Sequence, residues 1–95
     1  MALKQDFAEQ LRQQIKVWQA QIQQYQTHLS KAGTQARANY EKGIAELRTN
    51  AEKAGYLLAK VQHADEAAWK DMQAASQRAF EQLQKGWVDA LARFM

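Results

Sequence analysis

Residues 11–29 read LRQQIKVWQAQIQQYQTHL. Large apolar side chains recur in this stretch at alternating steps of four and three residues, the heptad spacing of a coiled-coil seam. These side chains are Leu11, Ile15, Trp18, Ile22, Tyr25 and Leu29. The seam continues along the chain through positions that include Leu47, Leu58, Trp69, Phe80, Leu83 and Trp87. We therefore expect amphipathic helices with coiled-coil-like packing, in which these residues form an interaction seam.

The composition favours an all-α fold. The 95 residues include four glycines and no proline, which is the strongest helix breaker. β-branched residues are scarce and do not cluster, so no segment is predicted to form a strand. The length suits one domain, and we expect a single all-helical domain over residues 1–95. Tyr40 and Tyr56 are expected to fill gaps in an alanine-rich middle section while their hydroxyls stay near water.

Two positions are candidates for a break in the helix. A helix can end at Gly33, and Thr34 can cap the helix that follows. The second candidate is Asp65, which falls on the seam, where a buried charge is costly. Asp65 is also a favourable N-cap residue, and Glu66 is favourable in the first turn of a helix. We favour the break at Asp65 because it explains the charged position in the seam.

The predicted architecture is a helical hairpin, with a helix over about 4–62, a break at about 63–65 and a helix over about 66–94. A three-helix bundle with both breaks and a continuous rod with neither remain as alternatives. In the hairpin, the shorter helix covers only the half of the longer helix that lies next to the break. Residues 11–29 are then bare, at a cost of about 1.5–3 kcal/mol for each large apolar side chain. We therefore expect a homo-oligomer, or a helical protein partner, to cover this part of the seam.

No constellation of residues indicates catalysis. The chain has no cysteine, which excludes thiolate chemistry and Cys-ligated metal sites. Glycine-rich phosphate loops and the G-x-S-x-G and H-E-x-x-H motifs do not occur. His63 lies near Asp65 and Glu66, but the E-x-x-H motif of di-iron helical bundles is missing. We expect no enzymatic activity, no cofactor, no metal site and no small-molecule substrate.

Charge and hydropathy bear on partners and location. The net charge is +3, and basic residues are spread along the chain, so nucleic-acid binding is not expected. The sequence shows neither a signal peptide nor the roughly 18 apolar residues of a membrane span, so we expect a cytoplasmic protein. Segment 69–94 combines an aromatic-rich face with basic residues elsewhere, a pattern that also suits a helix at a membrane surface. Binding to a membrane surface or to lipid is therefore the alternative to a structural or interaction role.

Several segments resemble a family of small bacterial coiled-coil proteins. The segments are AAWKDMQA at 67–74, Ala79-Phe80, ALARF at 90–94, VWQAQI at 17–22 and YEKGIAELR at 40–48. They are similar to a tryptophan-containing first helix, an I-x-E-L-R-like segment, a D-D-A-W-E-D-L-K-A-like segment and a final amphipathic helix closing with Arg-Phe. Such proteins are described as stress-response proteins without an established molecular activity. The resemblance implies a stress-related structural role, in which the chain self-associates or adds helices to a larger assembly.

Overall fold

The computed structural model describes residues 4–94, which form three α-helices and a short 3₁₀ turn. Helix α1 spans Lys4–Lys31, α2 spans Thr34–His63 and α3 spans Glu66–Leu91. The 3₁₀ turn follows at Ala92–Phe94. The prediction of an all-helical chain is confirmed over these residues.

The chain turns at Ala32 and Gly33, so the single helix expected over about 4–62 is wrong. The Ala32 N–H donates to Leu29 O at 3.1 Å, which tightens the end of α1, and Gly33 is extended, with φ −71° and ψ 169°. Gly33 is thus the N-cap residue of α2, and Thr34 is its first helical residue rather than its cap. The physical reason for the break is burial, because folding α1 back covers its apolar stripe with the chain's own helices. The result is the three-helix alternative instead of the hairpin.

The second break lies at Ala64 and Asp65, close to the predicted position. The Ala64 N–H donates to Val61 O at 3.2 Å, which closes the end of α2. The Asp65 side chain then accepts a hydrogen bond from the Ala68 N–H at 2.8 Å. Asp65 therefore caps α3 as its residue type predicted, and its carboxylate stays at the exposed surface instead of entering the core.

The core runs along an elongated bundle measuring 52 × 18 × 17 Å. It consists of two clusters of buried side chains. The cluster near the turn between α1 and α2 contains Trp18, Ile22, Ile44, Leu47, Ala54, Leu83, Trp87 and Ala90. The cluster near the turn between α2 and α3 contains Phe7, Ala8, Leu11, Val61, Ala64 and Trp69. None of the helices in residues 4–94 combines the length and apolarity needed to cross a membrane.

The three helices do not pack equally closely. Helix α2 is antiparallel to both neighbours and packs closely on each, whereas α1 and α3 run parallel and their backbones approach each other at few positions. The Lys4 ammonium ties the start of α1 to the α2–α3 connection by donating to Ala64 O at 2.7 Å. The uneven spacing leaves the α1–α3 side of the bundle more open than the other two.

Candidate functional site

The structure places every predicted seam residue in the core of a single chain. The buried ones are Leu11, Trp18, Ile22, Leu47, Trp69, Leu83 and Trp87. The half-buried ones pack against these clusters and are Ile15, Tyr25, Leu29, Leu58 and Phe80. The expectation that residues 11–29 are left bare is therefore wrong, because α2 and α3 cover them. This part of the seam therefore needs no second chain to cover it.

Aromatic side chains hold α1 and α3 apart. The Phe7 ring lies 5.4 Å from the Trp69 ring and 5.8 Å from the Phe80 ring, centroid to centroid. Farther along, the Trp18 and Trp87 rings stack at 4.7 Å. Large aromatic rings between two helices keep the helix axes farther apart than small side chains would, so the outer edges of α1 and α3 are separated. A groove results on this side of the bundle.

This groove encloses about 970 Å³ between the first half of α1 and the middle of α3. The half-buried Phe80 supplies aromatic surface above the buried Phe7 ring, and the Val17 side chain is 52% exposed. Glutamines form much of the walls, and they are Gln10, Gln13, Gln14, Gln77 and Gln84. Glutamine amides both donate and accept hydrogen bonds, so these walls can bond to the polar edge of a ligand whose apolar side contacts the aromatic surface.

All charged side chains among the described residues lining the groove are acidic: Asp6, Glu9 and Glu81. The Glu9 carboxylate accepts hydrogen bonds from Gln13 Nε2 at 3.2 Å and from an Arg12 guanidinium nitrogen at 2.9 Å. The hydrogen bond from Gln13 and, to a smaller extent, the one from Arg12 lower the pKa of Glu9 below its usual range. We call this site the acidic groove, although the chain as a whole is basic.

A smaller hollow of about 360 Å³ lies between α2 and α3 and has the opposite charge. Its charged lining residues within the described part of the chain are Lys53 and Lys60. Between them Tyr56 is 75% exposed. Asn50 closes one side of the hollow by donating from Nδ2 to Leu83 O at 3.0 Å. Lys53, Tyr56 and Lys60 are all exposed and stand along the α2 edge of the hollow, and we call this row of side chains the basic ridge.

One of the two tyrosines expected to fill gaps in the middle section does not do so. Tyr40 is half-buried and lies 5.1 Å from the Phe94 ring, but Tyr56 projects into solvent instead of filling a gap. Val17 precedes the seam residue Trp18 and lies outside the predicted seam. The signal available in the sequence is that Val17 and Tyr56 are large apolar or aromatic residues placed off the seam. The groove itself has no sequence signal, since it depends on the separation of α1 and α3.

The histidine cluster considered in the sequence does not form a ligand set. Across residues 4–94, no three His, Cys, Asp or Glu side chains are grouped so that they could hold a metal ion. His63 ends α2, and the Asp65 carboxylate is engaged in capping α3.

Comparison of the chain with models of protein families, with curated proteins and with solved structures finds no significant match.

Proposed function

We propose that this chain is a non-enzymatic interaction protein that binds an amphipathic helix of another polypeptide in its acidic groove. The observation that carries this proposal is the opening between α1 and α3, which exposes Val17 and part of Phe80 beside a row of glutamines. The bundle would in this way add a helix to its own three and take part in a larger assembly. The resemblance to coiled-coil stress proteins supports a stress-related setting, and the lack of cysteine suits the cytoplasm.

The shape of the acidic groove suits a helix. Its α1 side extends from Asp6 to Val17, which corresponds to about 16 Å of helix, or three turns. Two parallel helices that diverge on one side of a three-helix unit leave the position that the fourth helix occupies in a four-helix bundle. A helix seated there can place apolar side chains on Val17 and Phe80 and polar side chains against the glutamines.

The charge of the groove indicates which helices it favours. Asp6 and Glu81 attract lysine and arginine side chains on the polar face of an incoming helix and repel acidic ones. The charge of Glu9, by contrast, is offset by its ion pair with Arg12. The proposed ligand is therefore a basic amphipathic helix. Its apolar stripe supplies contact area, and its positive charges supply orientation and a faster encounter.

A titration followed by NMR tests the proposal. The probe is a synthetic amphipathic helix of about 18 residues, long enough to span the groove, with leucines on one face and lysines on the other. We expect backbone amide shifts to concentrate on the groove residues of α1 and α3. Shifts spread evenly over the bundle, or no saturable shifts, would contradict the proposal.

The chain offers a matched pair of variants for this titration. Val17 and Val88 are both exposed valines, at 52% and 64%, but only Val17 lines the groove. Val17→Lys places a positive charge where the basic probe binds, so we expect its affinity to fall at least about tenfold. Val88→Lys makes the same chemical change on α3 one turn beyond Gln84, outside the groove, and should lower the affinity much less. Equal effects of the two variants would show that binding is not at the groove.

The alternative function is binding to a membrane surface through segment 69–94. It requires the bundle to open, because Trp69 and Trp87 of that segment are 6% and 4% exposed. Flotation with anionic and with neutral vesicles tests this alternative. Co-flotation with a shift in tryptophan emission would support opening onto lipid, and a chain that stays at the bottom of both gradients would eliminate it.

A further inference from the structure

We infer that the helix bound in the acidic groove belongs to a second copy of this chain, which inserts its basic ridge of Lys53, Tyr56 and Lys60. This inference rests on the proposed function and names the partner of the same groove. It starts from two surfaces of one molecule that have opposite charges and both expose apolar or aromatic area.

The charges on the two surfaces are available for pairing. Neither Asp6 nor Glu81 forms an ion pair within residues 4–94, whereas Glu9 pairs with Arg12. Lys53 and Lys60 likewise form no ion pair among the described residues. Docking of the ridge in the groove would bring these lysines to Asp6 and Glu81. No ion pair of these four residues has to break for the new pairs to form.

The dimensions of the ridge match those of the groove. Lys53 and Lys60 are seven residues apart on α2, so their backbone positions are about 10 Å apart along the helix axis and lie on one face. Tyr56 lies between them at three and four residues, on the same face. The groove is about 16 Å long on its α1 side, so both lysines and the tyrosine fit within it.

Tyr56 is the anchor of the proposed contact. Its side chain is 75% exposed, so the single bundle obtains little packing from it. In the groove the ring would cover the exposed part of Phe80, and its hydroxyl would reach the glutamine amides. A tyrosine that is exposed in the free protein and enclosed by a partner has the chemistry typical of an interface hot spot.

The arrangement has a direct consequence for the assembly. The groove lies between α1 and α3, whereas the ridge lies on α2 at the α2–α3 side. Each copy therefore presents one groove and one ridge on different faces, which makes the contact head-to-tail. Such a contact leaves a free groove at one end and a free ridge at the other, so association continues past the dimer into a ring or an open row.

Sedimentation velocity on the full chain tests this inference over a concentration series at low and at high salt. The groove variant is Asp6→Lys with Glu81→Lys, and the ridge variant is Lys53→Glu with Lys60→Glu. A control variant, Lys42→Glu with Lys70→Glu, changes the net charge as the ridge variant does but alters neither surface. Circular dichroism checks that each variant keeps its helices.

We expect the wild-type chain and the control to grow in mass with concentration, and added salt to weaken this growth. The groove variant and the ridge variant, each alone, should associate at least about tenfold more weakly. An equimolar mixture of the two should associate again, because each supplies the surface that the other has reversed. A mixture that stays monomeric would overturn the head-to-tail contact.

A wild-type chain that remains a 10.9 kDa monomer at all concentrations would also overturn the inference. The synthetic basic helix then distinguishes failure of the self-association from failure of helix binding in the groove. If it binds the groove while the wild-type chain is monomeric, the proposed function stands and the partner is a different protein. If it fails to bind as well, both the groove function and the inference from it are rejected.

Discussion

The indole rings of Trp18 in α1 and Trp87 in α3 stack with their centroids 4.7 Å apart and their planes 11° from parallel. Trp87 Nε1 donates a hydrogen bond of 2.7 Å to Gln21 Oε1, one helical turn beyond Trp18. The polar edge of Trp87 is thus satisfied while both rings are at most 4% exposed. This pair joins α1 to α3 just beyond the end of the acidic groove, so it stabilises the bundle there.

The stacked pair predicts a measurable coupling energy. We expect Trp18→Leu and Trp87→Leu each to lower the free energy of unfolding by about 1–3 kcal/mol, because both remove buried aromatic area. The double variant should lose about 0.5–1.5 kcal/mol less than the sum of the two losses, since the stacking contact is lost only once. Urea unfolding followed by circular dichroism measures all four proteins. Additive losses would show that the stacking itself contributes nothing beyond burial.

Alanine substitutions at Gly43 and Gly55 in α2 should have opposite effects on stability. A Cβ at Gly43 would lie 2.5 Å from Cζ of Phe94, whose ring stacks on Tyr25 at 4.0 Å, whereas a Cβ at Gly55 meets nothing within 4 Å. Gly55→Ala should therefore raise the free energy of unfolding by about 0.5–1 kcal/mol through helix propensity. Gly43→Ala should lower it by about 1–3 kcal/mol, because the Phe94 ring must move. Thermal and urea unfolding measure both changes.

A second background tests the reason for the Gly43 effect. In a Phe94→Ala protein the obstacle is gone, so Gly43→Ala should become stabilising by about 0.5–1 kcal/mol, as expected for an unobstructed helix position. If Gly43→Ala is equally destabilising in both backgrounds, contact with Phe94 is not the cause.

The two interhelical turns predict a contrast between their N-caps. Asp65→Ala removes the hydrogen bond to the Ala68 N–H and should lower the free energy of unfolding by about 1 kcal/mol. At Gly33 no side chain caps α2, and a Cβ meets nothing within 4 Å. Gly33→Ser should therefore stabilise the protein by a few tenths of a kcal/mol. The denaturant midpoints of the two variants give these changes in the free energy of unfolding, provided that the m-values are equal. A loss of stability in Gly33→Ser would count against this description of the turn.

Tyr56 predicts a separation of folding from association. Tyr56→Ala should change the free energy of unfolding by no more than about 0.5 kcal/mol, because the side chain is 75% exposed. It should nevertheless weaken self-association at least about tenfold, as expected for a hot-spot tyrosine. For each protein preparation, the free energy of unfolding is measured at low concentration and self-association is measured by sedimentation at high concentration. Unchanged association would remove Tyr56 from the proposed contact.

Local features of the sequence account for the helices and for one of the two turns. The spacing of Leu11, Trp18 and Ile22 depends only on the helical period, so it identifies the buried face without knowledge of what covers it. The turn at Asp65 can also be predicted from the sequence, because an aspartate on the seam is unfavourable in the core and favourable as a helix N-cap. Absence of proline and scarcity of β-branched residues excluded strands for the same local reason.

The turn at Gly33 and the acidic groove were decided only by tertiary packing. A glycine inside a helix costs about 1 kcal/mol, which is too little to determine by itself whether the helix continues. Burial of Leu11, Trp18 and Ile22 against the chain's own helices is worth several times more, and it depends on contacts far apart in sequence. The groove likewise depends on aromatic side chains that meet between α1 and α3, such as Phe7 and Phe80. Periodicity defines the apolar face of each helix, but the sizes of the side chains that meet across helices decide which faces close and which stay open.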